Sequence, residues 1–294
     1  MKSPAPGRLR LATRGSPPAL TQATAVADAI TAATGLDTEL MPIKTTGDRH
    51  QSVALHTIGG QGVFVKEIQQ AVLDGRADIA VHSAKDLPSE TPDGLVIGAF
   101  CERRDPADAL IGSTLTGLLS GATVATGSVR RRAQLAAERP DLSFVELRGN
   151  IARRLEQIPE RGAVAMAVAA LEVLGMTELI AERLDPAQFV PAVGQGCVAV
   201  ECRDTDAAAA ASLTTIDHAP TRHAVVVERA FLRELGSGCS LPVGAYCDGA
   251  VLHAFLAGES GAIFRERREV EVDTDAAAAT AMALAMRARD AVGA

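Results

Sequence analysis

From residue 8 to residue 202, short apolar runs of strand length alternate with segments of helical spacing. That alternation restricts the chain to an α/β fold with mostly parallel sheets. Residues 8–12 alternate like a strand, and Ser16 and Pro17 then occupy the N-cap and first position expected of a helix. Ala19, Ala23, Val26, Ala27 and Ile30 carry the helical repeat, which Gly35 closes. Strands are expected next at 38–43, 77–81 and 95–100, with a helix over 63–73. A second unit starts near Arg104-Asp105-Pro106, with strands at 122–125, 143–147 and 163–168 and helical segments from there to about residue 184. The breaker-rich Pro191-Ala192-Val193-Gly194-Gln195-Gly196 reads as a crossing between domains, leading to a strand at 197–202 and a short helix at 206–213. From about residue 220 the pattern changes. A long helix (221–235), a Gly-rich loop, three strand-like runs and a helix over 274–291 describe a small α+β domain.

At 294 residues the chain exceeds what one core usually sustains, so two or three domains are expected. Its longest nearly apolar runs, 163–171 and 276–286, fall short of the roughly 18 residues a membrane span needs. The first residues contain no apolar export segment. Five cysteines (Cys101, Cys197, Cys202, Cys239, Cys247) without CxxC suit a reducing compartment, so a soluble cytoplasmic protein is expected. A net charge of −7, no Trp and one Tyr (Tyr246) argue against a nucleic-acid binder. The cysteine spacings and the scattered His50, His56, His82, His218, His223 and His253 offer no metal site.

Three stretches carry chemistry. Val81-His82-Ser83-Ala84-Lys85-Asp86-Leu87-Pro88 delivers a Ser, a Lys and an Asp at the carboxyl end of a strand, where α/β sheets bind ligands. Locally it is equally a strand end decorated with a solvated Lys–Asp pair. Of the 29 basic residues only Lys2, Lys44, Lys66 and Lys85 are lysines, and arginines cluster at Arg130-Arg131-Arg132 and at Arg148, Arg153 and Arg154. Each cluster follows a strand-to-helix turn, Thr126-Gly127-Ser128 or Arg148-Gly149-Asn150. Cations are disfavoured in a helix's first turn unless they face an anion, so the arrangement points to a multiply anionic ligand. The other reading is a solvated face with surface salt bridges. Finally, Cys239 stands in a glycine-flanked loop that leaves its thiol accessible.

Seven motifs occur together in order: Ala12-Thr13-Arg14-Gly15-Ser16, Gly62-Val63-Phe64-Val65-Lys66-Glu67, residues 81–88, Thr126-Gly127-Ser128-Val129-Arg130-Arg131, Leu147-Arg148-Gly149-Asn150, residues 191–196 and Gly238-Cys239-Ser240-Leu241-Pro242. In this the chain resembles the porphobilinogen deaminase (hydroxymethylbilane synthase) family, over residues 9 to about 244. The resemblance implies two α/β domains like the lobes of type II periplasmic binding proteins plus a small C-terminal α+β domain. Domain 1 would span 1–101 with a return segment at 197–217, domain 2 would span 105–194, and the cofactor-attachment domain 219–294. It also implies a transferase that joins porphobilinogen units head to tail with release of ammonia, as a monomer. A dipyrromethane cofactor would be held by a thioether to Cys239. Asp86 matches the catalytic carboxylate. Ser83, Lys85, Thr126, Ser128, Arg130, Arg131, Arg148, Gln195 and Gly196 match cofactor-binding positions, and Arg14, Ser16 and Arg154 substrate-binding ones. Every pyrrole of the ligand that the resemblance implies carries an acetate and a propionate, the counterpart expected for the arginine-lined turns.

Two positions depart from the family pattern. Val173 stands where an Arg is usual, and Gln61 where many relatives have Lys. A lost charge-assisted hydrogen bond at Val173 corresponds to about 1.5–3 kcal/mol, or roughly 10- to 100-fold in binding. Arg132 and Arg153 are the candidates to compensate. The competing class is a non-enzymatic solute-binding protein for an anionic small molecule, which shares the two-lobed architecture. The third domain with Cys239 argues against it.

Overall fold

A computed structural model describes residues 8–49, 62, 64–236 and 241–293. These form two compact units, one of residues 8–49, 62–103 and 197–222, the other of 104–196 and 223–293.

In the first unit β1 (Arg8–Arg14), α1 (Pro17–Thr34), β2 (Asp37–Ile43), the single turn α2 (Thr46–Arg49), α3 (Lys66–Leu73), β3 (Ile79–Ser83) and β4 (Leu95–Phe100) precede a return strand. The sheet order is β2-β1-β3-return-β4. β1 runs parallel to β2 and β3, and the return strand runs antiparallel to β3 and β4. Strand periodicity divides the core between two faces. Leu9, Leu11, Ile79 and Val81 pack with Val26 and Ile30 of α1, whereas Ala12 and Ala80 pack with Ile68 and Val72 of α3. α1 begins where the sequence indicates, with Pro17 and Pro18 in its first turn, and ends at Gly35 in the left-handed conformation (φ 73°).

The second unit repeats that order with an unrelated sequence. β5 (Asp108–Ile111), β6 (Thr123–Ala125), α4 (Val129–Glu138), β7 (Ser143–Val145), α5 (Ile151–Leu155), β8 (Ala163–Ala167), α6 (Val168–Glu172) and β9 (Ile180–Leu184) build a sheet ordered β7-β6-β8-β5-β9. Here β5 is the antiparallel insert, between β8 and β9. Its counterpart in the first unit is the return strand β10 (Val198–Arg203), followed by α7 (Ala207–Thr214). In both sheets the third strand is followed in space by one antiparallel strand and then the edge strand. Both sheets thus share one strand order, as the resemblance implies.

The remainder is α8 (Ala219–Glu234), the antiparallel meander β11 (Val243–Cys247), β12 (Val251–Ala257) and β13 (Ile263–Glu269), and α9 (Thr274–Val292). Asp273 caps α9 by accepting from the Ala276 N–H. Phe231, Leu252, Leu256, Ala281 and Leu284 fill the core between this sheet and its helices. The meander meets the 190–191 segment through the Ala245 N–H, which donates to the Pro191 carbonyl at 3.1 Å. Gly244 permits the approach, because a Cβ there would stand 2.7 Å from the Val190 carbonyl oxygen.

Two elements differ from expectation. Residues 180–184 are a strand rather than helix, because Ile180 and Leu184 alternate with Ala181 and Arg183, which are exposed, and the segment pairs with β5. β5 itself is too short and too close to Pro106 for its four residues to display a period.

Candidate active site

In the first unit the carboxyl ends of β1 and β3 and the N-terminus of α1 meet around a pocket of about 120 Å³. Arg14, Ser16, Gln22, Phe64, Ser83 and Asp86 are among its lining residues. After β3 the chain makes one 3₁₀ turn, Ala84–Asp86, closed by the Leu87 N–H donating to the Ala84 carbonyl at 3.2 Å. The Ala84 N–H donates to the Cys197 carbonyl (2.9 Å), so the return strand pins the turn that presents Asp86. Asp86 Oδ2 lies 3.9 Å from Arg14 Nη1, within ion-pair range but beyond a hydrogen bond, and the two side chains keep 32% and 24% of their surface exposed. Phe64 lies under the Arg14 guanidinium at 4.0 Å, a cation–π contact that fixes its plane. Ser83 donates to Gln22 Oε1 (3.1 Å). Ser16 holds the N-cap position of α1 with no side-chain capping bond, and Lys85 is exposed.

The second unit presents its own cluster at the carboxyl ends of β6 and β7. These strands are parallel neighbours, so the turns 126–128 and 148–150 lie side by side. Gly127 lets them touch, since a Cβ there would stand 2.7 Å from the Leu147 carbonyl oxygen. Ser128 caps α4, accepting from the Arg131 N–H at 3.4 Å, and the Ser128 N–H donates to Thr126 Oγ1 at 3.3 Å. Asn150 caps α5 in the same way through the Arg153 N–H. Arg148 Nη2 pairs with Glu146 at 2.6 Å, while its Nε is buried with no hydrogen-bond partner among the described residues. Arg154 Nε donates to the Gly149 carbonyl at 2.9 Å.

Arg130, Arg131 and Gln195 converge on a residue that sequence reasoning missed. Asp108, at the start of β5, is buried and accepts from Arg130 Nη1 (2.7 Å) and Nη2 (3.2 Å), Arg131 Nε (2.8 Å) and Gln195 Nε2 (2.8 Å). Burial alone would raise the Asp108 carboxyl, but the two guanidinium groups outweigh it and hold the group well below the usual carboxylate range. Arg130 also donates to the Val190 carbonyl at 2.7 Å. The first-turn position of Arg130 suggested a ligand-facing side chain. The structure instead satisfies it with the chain's own carboxylate, whereas Arg131 remains partly accessible. Gly196 follows at φ +86°, with the Arg104 carbonyl oxygen 2.6 Å from where a Cβ would stand, so only glycine fits. A signal for Asp108 existed only in an acid opening an apolar run, Asp108-Ala109-Leu110-Ile111.

Cys239 lies outside the described residues. The other four cysteines form no disulfide among the described residues, and Cys197, Cys202 and Cys247 are buried. Burial pushes the Cys101 thiol up to about 11 and raises Cys202 as well, which removes both as nucleophiles near neutral pH. Val173 closes α6, partly buried. Among the described residues no group of three or more metal-capable side chains occurs, and no helix is long and apolar enough to cross a membrane.

Donors of this kind suit a carboxylate-bearing group, the unpartnered Arg148 Nε most directly. Two family models match the chain: "Porphobilinogen deaminase, dipyromethane cofactor binding domain" over residues 9–211, and "Porphobilinogen deaminase, C-terminal domain" over 223–289. A curated porphobilinogen deaminase from Brevibacillus brevis is 46% identical over 246 residues, covering 82% of this chain and 80% of the relative. Solved structures with a similar chain course include the methionine-binding protein MetQ (TM-score 0.46, 14% identity, 72% of this chain and 90% of that one). Another is YhfZ from Shigella flexneri (TM-score 0.39, 16% identity, 78% and 97%). With both family models in register and a relative of that identity along most of its length, the chain belongs to the porphobilinogen deaminase family.

Proposed function

We propose that this chain is a hydroxymethylbilane synthase, a transferase that condenses porphobilinogen head to tail with loss of ammonia, and that Asp86 is its catalytic carboxylate. The observation that carries the assignment is Asp86, presented beside Arg14 at a pocket in a chain of this family. Ammonia leaves the substrate's aminomethyl carbon only if the amine is protonated, and its loss places positive charge on that carbon, shared with the pyrrole nitrogen. A fixed carboxylate beside that nitrogen stabilises the charge far better than water does, because its dipole and charge are already oriented. The same oxygen accepts and returns the protons exchanged as the ring regains aromaticity. Arg14, stacked on Phe64, and Ser16 are the groups assigned to receive substrate carboxylates in this reading. Ser83 and Lys85 stand beside Asp86 in the same motif.

In the second unit Arg131, Arg148, Arg154, Thr126 and Ser128 supply donors for acetate and propionate groups, with Gln195, Gly196 and Arg130 forming the support beneath them. A dipyrromethane attached at Cys239 supplies the pyrrole carbon at which the oligomer grows. A monomer acting in the cytosol on a small-molecule substrate, with neither nucleic acid nor membrane as partner, completes the proposal. The net charge of −7 supports the exclusion of nucleic acid.

The intact mass of the purified protein tests the assignment. An excess equal to two pyrrole units, absent from Cys239→Ser, is the expected result. A wild-type mass equal to that of the bare chain favours a binding protein instead. Val173→Arg is expected to tighten porphobilinogen binding, lowering KM roughly 10-fold or more, the scale of one charge-assisted hydrogen bond. An unchanged KM would assign that role to Arg132 or Arg153.

A further inference from the structure

Around the β3–β10 ladder that precedes the Asp86 turn, the first unit buries three polar side chains from three elements. His82 of β3 and Glu201 of β10 are 5% and 1% exposed, and Gln69 of α3 is 4% exposed. Gln69 Nε2 donates to both Glu201 oxygens, at 3.1 and 3.0 Å, and His82 Nε2 lies 3.1 Å from Glu201 Oε2, close enough for an ion pair but outside hydrogen-bond geometry. His82 pairs with Ala199 and Glu201 with Ala80, so the His–Glu contact is a diagonal across one face of the β3–β10 ladder.

An ionisable pair of this kind in a sheet interior is seldom there for stability, since well-packed apolar residues of similar volume do as well or better. β10 is the antiparallel insert of an otherwise parallel sheet, and its pairing with β4 shifts between Val200 and Glu201. A slip of β10 along β3 would carry the Cys197 carbonyl away from the Ala84 N–H and release the turn that presents Asp86.

We infer that Gln69, Glu201 and His82 form a positioning cluster that locks β10 onto β3 and so holds the Asp86 carboxylate where it acts. The proposal rests on Asp86 as the catalytic carboxylate. Gln69 and Glu201 lie outside the lining of the pocket, and His82 is part of it.

The test is the triple variant Gln69→Leu/Glu201→Met/His82→Leu, beside the single Glu201→Gln, in the full-length enzyme. Hydrogen exchange is followed at the amides of residues 84–87, with kcat, KM and the melting temperature. The expected triple variant melts at or above the parent temperature, yet exchanges faster at 84–87. Its kcat falls about tenfold or more with KM within about twofold, as a displaced catalytic group requires. Glu201→Gln moves kcat and exchange in the same direction. Parent exchange at 84–87 in a triple variant that melts normally overturns the inference, and so does a triple variant that fails to fold, which would make the cluster a plain stability element. Because exchange is read without turnover, it separates failure of this inference from failure of Asp86 as the catalytic residue, which Asp86→Asn tests by itself.

Discussion

Asp86→Asn is expected to fold as the wild type does and to lose about 10²–10⁴-fold in kcat, the range for removal of a positioned acid–base group that also faces developing charge. The substitution is isosteric, and the side chain is part-exposed, with an ion pair to Arg14 too long to be a hydrogen bond. Stability therefore changes little. The amide neither carries negative charge nor accepts a proton from the pyrrole nitrogen, so both functions fail together. KM is expected to move much less than kcat, because the carboxylate acts on charge that appears only as ammonia departs. Steady-state kinetics with a thermal melt as control checks both halves.

Asp108→Asn is expected to have the opposite character, a large loss of stability. It removes the counter-charge from two guanidinium groups, one of them buried beside the Val190 carbonyl. Breaking such a pair from one side costs about 3–5 kcal/mol, because the remaining charge is left uncompensated. For a unit of this size that lowers Tm by roughly 6–20 °C. The pH dependence has a defined sign. The folded-state pKa of Asp108 is depressed, so its contribution is fully present above the unfolded carboxylate value of about 4 and is lost as pH falls through the folded value. The difference in stability between wild type and Asp108→Asn is therefore expected to narrow progressively below about pH 4. Melting curves from neutral to acid pH measure this, and a gap that widens on acidification would contradict the assignment.

Much of the architecture was legible because it is written locally. The Pro17 start and Gly35 stop of α1, the β4 run and the meander strands β11 and β12 follow from caps, breakers and period-two alternation. What escaped were elements defined by pairing alone. β5 has four residues and no readable period, and β9 takes its identity from lying against β5. The site was legible in the same uneven way. Asp86, Arg14 and Ser16 belong to strand-end and turn motifs and do meet around one pocket. Arg130 could not be told from its neighbours in the first turn of α4, because what distinguishes it is a carboxylate 22 positions earlier in the chain. Gln69, Glu201 and His82 read as ordinary polar residues until the fold places α3, β3 and β10 together.

The central claim is that one carboxylate escorts the positive carbon formed at each condensation. Ammonia released per mole of protein on mixing with porphobilinogen, compared between wild type and Asp86→Asn preparations of the same intact mass, measures that step apart from later product release. The account predicts prompt ammonia from the wild type and almost none on the same timescale from Asp86→Asn. Equal release from the two proteins would contradict it.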